Sequence, residues 1–283
     1  MSAKIIDGKS IAKMLREEMV KEVSLLKEQG LTPHLSVILV GNHPASLSYV
    51  KGKEKAATEI GLSSKIIRLP ENTTEEELLQ TIDNLNQDQA VHGILVQLPL
   101  PDHIQELRII EAIDPAKDVD GFHPINIGRM MTNQDTLLPC TPYGILKMLQ
   151  AENIDPAGKH VVIVGRSNIV GKPVGQLLLN EDATVTYCHS KTTNLSEITS
   201  QADILIVATG VANMIHDEHL KEQAVVIDVG INRLDDGTLT GDVDFERAKI
   251  KASHITPVPG GVGPMTITML MHNTIKAAKG LAK

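Results

Sequence analysis

Residues 159–179 have the sequence KHVVIVGRSNIVGKPVGQLLL, and this stretch decides the fold class of the chain. A continuous apolar run, typical of a buried strand, leads through a glycine turn into a helix. Glycines let a backbone approach a diphosphate, and a helix N-terminus supplies free amides and the positive end of a dipole. Gly165, Gly171 and Gly175 lack the usual G-x-G-x-x-G spacing, so an ordinary tight turn is the competing interpretation.

The rest of the chain alternates short β-branched runs with amphipathic helical stretches, which is typical of a parallel α/β architecture. In the second half, the predicted strands are His160–Gly165, Thr184–Cys188, Ile204–Ala208 and Ala224–Val229. In the first half, the predicted strands are His34–Val40, Lys65–Leu69 and Val91–Val96, and the predicted helices are Ser10–Glu28, Pro44–Ile60 and Thr74–Asn86, the last with a capping box formed by Thr74 and Glu77.

Between Pro115 and Pro142 the periodicity fails, and a long loop containing the domain boundary, near Gly121–Pro139, is predicted there. We therefore expect two α/β domains. The first comprises residues 1–120 with 265–283, and the second, a Rossmann-like parallel sheet, comprises residues 140–264. The length of the terminal helix, predicted over Met265–Ala278, allows it to return to the first domain.

Composition excludes several classes of function. The 283 residues suit two cores rather than one. With 27 basic and 35 acidic side chains the net charge is 27 − 35 = −8, and the lysines are dispersed, so no nucleic-acid partner is expected. No apolar run approaches the roughly 18 residues of a membrane span. No signal-peptide pattern precedes Asp7, and two cysteines make no disulfide framework, so a cytoplasmic location is expected.

The choice of dinucleotide depends on the end of the strand Thr184–Cys188. An NAD-binding domain usually places a carboxylate there to hold the ribose 2′-hydroxyl. This chain has His189, Ser190 and Lys191 instead, and Arg166 adds a cation beside the glycine turn. These polar and basic side chains favour a 2′-phosphate, so NADP is the predicted cofactor. The alternative is that Arg166 and Lys191 are ordinary solvated surface charges.

One lysine lies on the apolar face of the predicted helix Pro44–Ile60. On a helical wheel, Lys53 falls within the arc of the apolar side chains and one turn beyond Tyr49, whereas the other charged residues face the opposite side. Lys53 either extends its ammonium into water or faces a cleft, where desolvation lowers its pKa and makes it a general acid or base. The spacing alone leaves both alternatives open.

Three further segments are candidates for the same site. Gln97 follows the strand Val91–Val96, at the strand end where α/β sheets bind ligands, although ordinary strand-end polar residues look the same. Asp118 and Asp120 precede Gly121, a pattern that also makes simple turns. The run Pro257–Pro264 is either a helix-entry turn or a rigid wall for a flat ligand.

Metal and thiol chemistry have little support. The segment His216–His219 lacks the H-E-x-x-H spacing of a zinc protease, so no metal is expected. Cys140 and Cys188 each lack an evident local base.

Taken together, these segments closely resemble the bifunctional methylenetetrahydrofolate dehydrogenase/cyclohydrolase family. The resemblance covers essentially the whole chain through the blocks SLSYVKGKEKAATEIG, GILVQLPLP, DPAKDVDGF, LPCTP, VGRSNIVGKP, CHSKT, DVGIN and PVPGGVGPMT. It implies a folate substrate, usually a homodimer, oxidation of 5,10-methylenetetrahydrofolate by NADP, and hydrolysis of the methenyl product to 10-formyltetrahydrofolate.

The resemblance also implies roles for particular residues. Lys53 corresponds to the catalytic lysine, Tyr49 to the residue that packs on the folate, Gln97 to the partner that tunes the lysine, and Asp120 to the group that binds the pterin edge. The residues that match NADP contacts are Gly165, Arg166, Ser167, Ser190 and Ile231, with Thr141 close by, and those that line the folate pocket are Pro259, Gly260 and Gly261.

Our hypothesis is that Lys53 serves mainly the cyclohydrolase step. Two other functions are weighed against this one. A dehydrogenase of a small oxo or amino acid would not need Asp120, Gln97 and the Pro257–Pro264 wall. A non-catalytic NADP-sensing module would have no use for a buried reactive lysine.

Overall fold

The computed structural model describes residues 2–42 and 44–282, without the side chains of residues 44–46 and 48. The chain divides into two compact units. The first unit comprises Met14–Cys140 and the chain from Ile267 onward, and the second comprises the chain up to Lys13 and Thr141–Thr266.

The secondary structure follows the alternation seen in the sequence. The strands are β1 (Lys4–Ile5), β2 (His34–Val40), β3 (Ser63–Leu69), β4 (Gly93–Val96), β5 (His160–Val164), β6 (Thr184–Cys188), β7 (Ile204–Val207), β8 (Val225–Asp228), β9 (Asn232–Arg233), β10 (Leu239–Thr240) and β11 (His254–Ile255). The helices are α1 (Gly8–Glu28), α2 (Pro44–Ile60), α3 (Glu75–Gln87), α4 (Glu106–Ala112), α5 (Pro124–Met131), α6 (Cys140–Ala151), α7 (Gly171–Asn180), α8 (Leu195–Thr199), α9 (Phe245–Lys251) and α10 (Val262–Leu281).

The first unit contains a three-stranded parallel sheet in the order β3-β2-β4. Its central strand β2 is buried along almost its whole length, as expected for a strand covered on both faces. The segment Lys117–Asp120 runs beside β4, where the amide of Ile94 donates to the carbonyl of Lys117 across 2.8 Å. Gly93 permits this approach, because a Cβ there would lie 2.6 Å from Val119.

The second unit contains a six-stranded sheet in the order β1-β11-β8-β7-β5-β6, and every pairing in it is parallel. The chain passes from β5 to β6 on one side and then crosses to β7 on the other side of β5. The strand order therefore reverses at β5, and ligands of doubly wound sheets bind at such a reversal, beyond the carboxyl ends of the strands. Gly165 follows β5 at this point.

The two-domain α/β prediction is confirmed, and so is the Rossmann-like parallel sheet. The bounds of β2, β6 and α2 agree with the prediction, and Thr74 and Glu77 form the predicted capping box. The terminal helix returns to the first unit, since its residues from Ile267 onward belong to that unit.

The prediction of one long loop between Pro115 and Pro142 was wrong. The helix α5 lies within this segment, and α6 begins at Cys140. Two local features start α5: the His123 ring accepts a hydrogen bond from the amide of Ile125 across 3.1 Å, and Pro124 occupies the first turn, where a missing amide costs nothing.

The division into functional domains at residues 1–120 with 265–283 and at residues 140–264 remains a prediction. The compact units differ from it at the N-terminus, because β1 pairs with β11 and so joins the sheet of the second unit. In the described part of the chain, none of the helices has the length and apolarity that crossing a membrane requires.

Candidate active site

Lys53 lies on the buried side of α2. Only 7% of the residue is exposed, and Val50, Ala56 and Ala57 on the same face are buried with it. The ammonium donates a hydrogen bond to Oε1 of Gln97 across 2.9 Å. The apolar face predicted from the helical wheel is therefore confirmed, and the alternative in which the ammonium extends into water is wrong.

Gln97 is held by the end of strand β4. Its amide nitrogen donates to the backbone carbonyl of Ile38 across 2.9 Å, which continues the pairing of β4 with β2. Its side-chain Nε2 donates to the carbonyl of Leu98 across 2.7 Å. Because Nε2 is engaged there, Oε1 is the atom that faces Lys53, and the lysine has a neutral acceptor in a fixed orientation.

Two groups of this site have shifted proton affinities. Burial lowers the pKa of the Lys53 ammonium below its ordinary value, while the nearby carboxyl of Asp120 and thiol of Cys140 act in the opposite direction. Burial also raises the pKa of Asp120 to about 6, against the attraction of Lys53. Both shifts move the group towards neutral pH, which is the condition for an efficient proton donor or acceptor.

The two acids of the 118–120 loop have different surroundings. The carboxylate of Asp118 accepts hydrogen bonds from the backbone amide of His123 and the side chain of Asn126, both across 2.8 Å, and from the amide of Gly121 across 3.2 Å. Asp118 therefore stabilises the turn that contains Gly121, which is the simpler of the two interpretations of this acidic pair. Asp120, two residues on, is left close to Lys53.

The buried Asn273 of helix α10, which no sequence pattern singles out, holds this loop. The Nδ2 of Asn273 donates to the carbonyls of Val119 and Leu138 across 2.9 and 2.8 Å. The thiol of Cys140 donates to the same Val119 carbonyl across 3.2 Å, and burial raises its pKa well above the ordinary value. Cys140 is therefore a neutral hydrogen-bond donor, which argues against a nucleophilic role.

Tyr49 lies one turn before Lys53 on α2 and is 41% exposed. Partial burial raises the pKa of its phenol, which therefore stays neutral near pH 7. A half-exposed ring on the same helix as a buried lysine offers a flat surface that a planar ligand can stack on.

The glycine turn of the second unit forms a narrow cradle after β5. Gly165 has φ +133°, and a Cβ there would overlap the carbonyl of Ala208. A Cβ at Gly171 would lie 2.5 Å from the carbonyl oxygen of Gly165, and one at Gly175 would overlap the Tyr187 hydroxyl. The hydroxyl of Ser167 accepts from the amides of Val170 and Gly171 across 3.2 and 3.3 Å, at the start of α7. This close approach of backbone to backbone, at a helix N-terminus, fits a bound diphosphate.

The segment after β6 has His189, Ser190 and Lys191 where an NAD-binding domain usually has a carboxylate. After β6, the amide of His189 donates to the hydroxyl of Thr192 across 2.8 Å, and Ser190 and Lys191 are exposed beside it. Arg166 is exposed at the end of the neighbouring strand. The structure thus brings Arg166 and Ser190 to adjacent strand ends, a suitable place for a phosphate group.

The other predicted cofactor residues lie elsewhere in the second unit. Ile231 follows β8 and is 49% exposed. Thr141 lies in the first turn of α6, and its hydroxyl is hydrogen-bonded to that of Thr266 across 2.8 Å.

The run Pro257–Pro264 enters helix α10 through a tight turn. The amide of Gly261 donates to the carbonyl of Pro257 across 2.9 Å, and Gly260 has φ +109°. The turn lies against the start of α1, where the amide of Lys9 donates to the Gly260 carbonyl across 3.1 Å. The structure thus bears out the interpretation as a helix-entry turn, with Pro259 exposed at its tip.

Comparison with known proteins decides the family. Residues 6–120 match the family model described as tetrahydrofolate dehydrogenase/cyclohydrolase, catalytic domain, and residues 139–282 match the model of its NAD(P)-binding domain. The chain belongs to the tetrahydrofolate dehydrogenase/cyclohydrolase family. The resemblance found in the sequence is thereby confirmed.

Individual relatives match this chain over 99% or more of its length. The bifunctional protein FolD of Oceanobacillus iheyensis is 68% identical over 279 residues, which are 99% of this chain and 98% of that protein. A bifunctional FolD methylenetetrahydrofolate dehydrogenase/cyclohydrolase from Campylobacter jejuni has a TM-score of 0.97 at 52% identity, covering 99% of both chains. The methylenetetrahydrofolate dehydrogenase-cyclohydrolase of Trypanosoma brucei, solved with NADP cofactor and an inhibitor, has a TM-score of 0.96 at 39% identity, covering 100% of this chain and 99% of that one.

Among the described residues, one group of side chains has atoms that could bind a metal ion. Donor atoms of His216, Glu218 and His219 lie within 4.8 Å of one another, and Nδ1 of His216 is 3.0 Å from the Glu218 carboxylate. Arg247 pairs with Asp217, which lies between His216 and Glu218 in the sequence but is not one of the three donors.

Proposed function

We propose that this enzyme oxidises 5,10-methylenetetrahydrofolate with NADP and hydrolyses the resulting 5,10-methenyl cation to 10-formyltetrahydrofolate. The arrangement that carries the proposal is the buried Lys53 amine on Gln97, with Asp120 close by. Neither a small-acid dehydrogenase nor an NADP-sensing module has a use for this arrangement.

The cyclohydrolase step requires a water molecule to reach the methenyl carbon and its protons to be moved. The neutral amine of Lys53 takes a proton from the attacking water as the carbon–oxygen bond forms. The carbinol intermediate then loses its hydroxyl proton, the bond to N5 breaks, and N5 takes up a proton. One proton is released overall, and the formyl group remains on N10.

The low proton affinity of Lys53 suits this step. A general base works best when its pKa is close to the working pH. Burial lowers the pKa of the ammonium, which leaves more of the side chain in the neutral form that can accept a proton. A neutral amine also avoids the repulsion that a buried ammonium would exert on the cationic methenyl substrate.

Substrate orientation falls to Asp120 and Tyr49 of the first unit. Asp120, with a pKa of about 6, is mostly ionised at pH 7, and its carboxylate accepts hydrogen bonds from the N–H groups of the pterin edge. The ring of Tyr49 packs on the folate. The assignment of Pro259, Gly260 and Gly261 to the folate pocket rests on the family resemblance.

The second unit holds the cofactor. NADP, when bound, supplies the hydride acceptor for the oxidation. The backbone at Gly165 and the start of α7 face its diphosphate, with Ser167 at the same turn. Arg166 and Ser190 hold the 2′-phosphate. Ile231 and Thr141 contact other parts of the NADP molecule. Because no carboxylate follows β6, a 2′-phosphate meets no repulsion there.

An absorbance assay tests the proposed function. Methylenetetrahydrofolate is supplied with NADP and, separately, with NAD, and the methenyl absorbance is followed. The proposal expects a methenyl signal with NADP that decays to the 10-formyl product, and a weaker signal with NAD. If no methenyl signal develops with either dinucleotide, the proposed function is wrong.

We extend the proposal to location and assembly. Both cysteines are free and buried, which is in keeping with a reducing cytoplasm. Family resemblance supports a homodimer. Analytical ultracentrifugation distinguishes a dimer from a 30.6 kDa monomer directly.

A further inference from the structure

Two buried carboxylates lie at the carboxyl edge of the sheet in the second unit. Asp228 is the last residue of β8, and Asp242 follows β10; they are 3% and 0% exposed. The Oδ1 of Asp228 accepts from the amides of Gly230 and Asp242, each across 3.0 Å, and its Oδ2 accepts from the amide of Val243 across 2.9 Å. The Asp228 carboxylate thus fixes the position of the segment that carries Asp242.

Asp242 in turn connects two loops that leave neighbouring strands. Its Oδ2 accepts from the amide of Thr209 across 2.5 Å, from the Thr209 hydroxyl across 2.9 Å and from the amide of Gly210 across 2.9 Å. Its Oδ1 accepts from the side-chain amide of Asn232 across 2.8 Å. Thr209 and Gly210 follow β7, whereas Asn232 begins β9, at the end of the loop that follows β8.

Two glycines leave room for these carboxylates. A Cβ at Gly230 would overlap Oδ1 of Asp242, and a Cβ at Gly241 would overlap Oδ2 of Asp228. The backbone is therefore shaped around the two side chains. The need for this space explains the glycine of the motif DVGIN, which is Gly230.

The connected loops border the cofactor cradle. Ala208, directly before Thr209, is the residue whose carbonyl a Cβ at Gly165 would overlap. Ile231, directly before Asn232, is 49% exposed at the same edge of the sheet. A shift of either loop would therefore change the shape of the dinucleotide site.

We propose that Asp228 and Asp242 are positioning residues for the dinucleotide, which hold the loops after β7 and β8 in the conformation that binds it. The inference rests on the proposed function for NADP binding by the second unit. Neither carboxylate touches the cofactor in this account; each acts through the backbone of the loops it binds. Removing Asp242 leaves the Thr209 and Gly210 amides without their acceptor.

The two activities of the enzyme make a sharp test possible, because hydrolysis of the methenyl substrate consumes no NADP. For Asp242→Ala, NADP affinity is measured by calorimetric titration, and cyclohydrolase activity is measured without dinucleotide. The loss of charge-assisted hydrogen bonds is expected to weaken NADP binding by about tenfold or more. Cyclohydrolase activity is expected to stay within about twofold of the wild type, because Asp242 lies outside the lysine site.

Asp244→Ala is the matched control. Asp244 caps helix α9 by accepting from the amide of Arg247, so its loss destabilises the same unit without touching the two loops. NADP affinity is expected to be unchanged in this variant. Thr209→Val removes the hydroxyl bond to Asp242 and the bond that the Val211 amide donates to the same hydroxyl, both within the loop after β7. It is expected to weaken NADP binding by about threefold and serves as the test if Asp242→Ala does not fold.

The outcomes separate this inference from the proposed function. If the wild-type enzyme binds no NADP, the proposed function fails. If the wild type binds NADP and Asp242→Ala, or Thr209→Val in its place, binds it with the same affinity, the positioning role is wrong. An equal fall in NADP affinity for Asp242→Ala and Asp244→Ala also overturns it, because general destabilisation would then account for the effect.

Discussion

The ammonium of Lys53 donates to Oε1 of Gln97 across 2.9 Å, from helix α2 to the end of strand β4. The acceptor is a neutral amide, so the bond orients the nitrogen without the strong stabilisation of the cation that a carboxylate would give. The nearby Asp120 carboxylate favours the charged form of Lys53, but burial outweighs it. The lysine is thus held in place and kept weakly basic at the same time.

Replacing Lys53 tests its part in hydrolysis. Lys53→Met keeps the length and apolar character of the side chain but removes the amine. Cyclohydrolase activity is expected to fall by about 100-fold or more, the size of a lost general base, while NADP-dependent oxidation falls much less. Lys55→Met, an exposed lysine on the same helix, is the control and should leave both activities unchanged. Full hydrolysis by Lys53→Met would remove the amine from the mechanism.

Replacing the neutral partner by an acid should shift the pH dependence. Gln97→Glu places a carboxylate beside the Lys53 ammonium and favours the charged form, so the pKa of the lysine rises by about 1–3 units. The rising limb of the cyclohydrolase pH–rate profile is expected to move to higher pH by a similar amount. Gln105→Glu, at the exposed start of α4, adds the same charge elsewhere and should leave the profile in place. An unshifted profile for Gln97→Glu would show that the amide does not tune the lysine.

The raised pKa of Asp120 predicts a stability effect with a definite sign. The folded protein binds the Asp120 proton up to a pKa of about 6, whereas the unfolded chain releases it near 3.8. Between these values the native state holds more protons, so this group makes the protein less stable as pH rises through the window. Asp120→Asn cannot titrate, and is expected to be more stable than the wild type at pH 8 by up to about 3 kcal/mol.

Urea unfolding at pH 5 and pH 8 measures this difference. The advantage of Asp120→Asn should be larger at pH 8 than at pH 5. Asp102→Asn, an exposed acid in the same unit, controls for the loss of one carboxylate from the surface. A pH-independent difference for Asp120→Asn would contradict the burial of an ionisable carboxyl at this position.

The choice between NADP and NAD should depend on the charge at the end of β6. Ser190→Asp introduces the carboxylate that NAD-binding domains use, and it would repel a 2′-phosphate. The KM for NADP is expected to rise by about tenfold or more, with a smaller change for NAD. Ser196→Asp, in the exposed first turn of α8, adds the same charge away from the strand end and should affect neither. Unchanged NADP kinetics in Ser190→Asp would place the phosphate elsewhere.

Local sequence patterns were sufficient for much of the fold and for part of the site. Lys53 could be singled out because helical periodicity places each side chain of α2 on a definite face. Gln97 could be found because the end of a parallel strand is where such sheets bind ligands. Both inferences need only the residues of one element and its immediate continuation.

Contacts between segments distant in the sequence could not be predicted in this way. Asn273 holds the Val119 carbonyl from 154 residues away, and no periodicity connects the two. The position of β1 in the sheet of the second unit depends in the same way on its pairing with β11. Helix α5 was missed for a different reason, since its eight residues are too few for a clear apolar period and it is started by the His123 ring.

The pKa of the Lys53 amine is the measurement that tests the central claim most directly. Nuclear magnetic resonance titration of enzyme labelled at the lysine side chains, with Lys53→Met used to assign the signal, gives this value without reference to turnover. Because burial outweighs the nearby carboxyl, the Lys53 signal is expected to titrate below the ordinary lysine value of 10.5. A Lys53 amine that titrates at or above 10.5 would contradict the account.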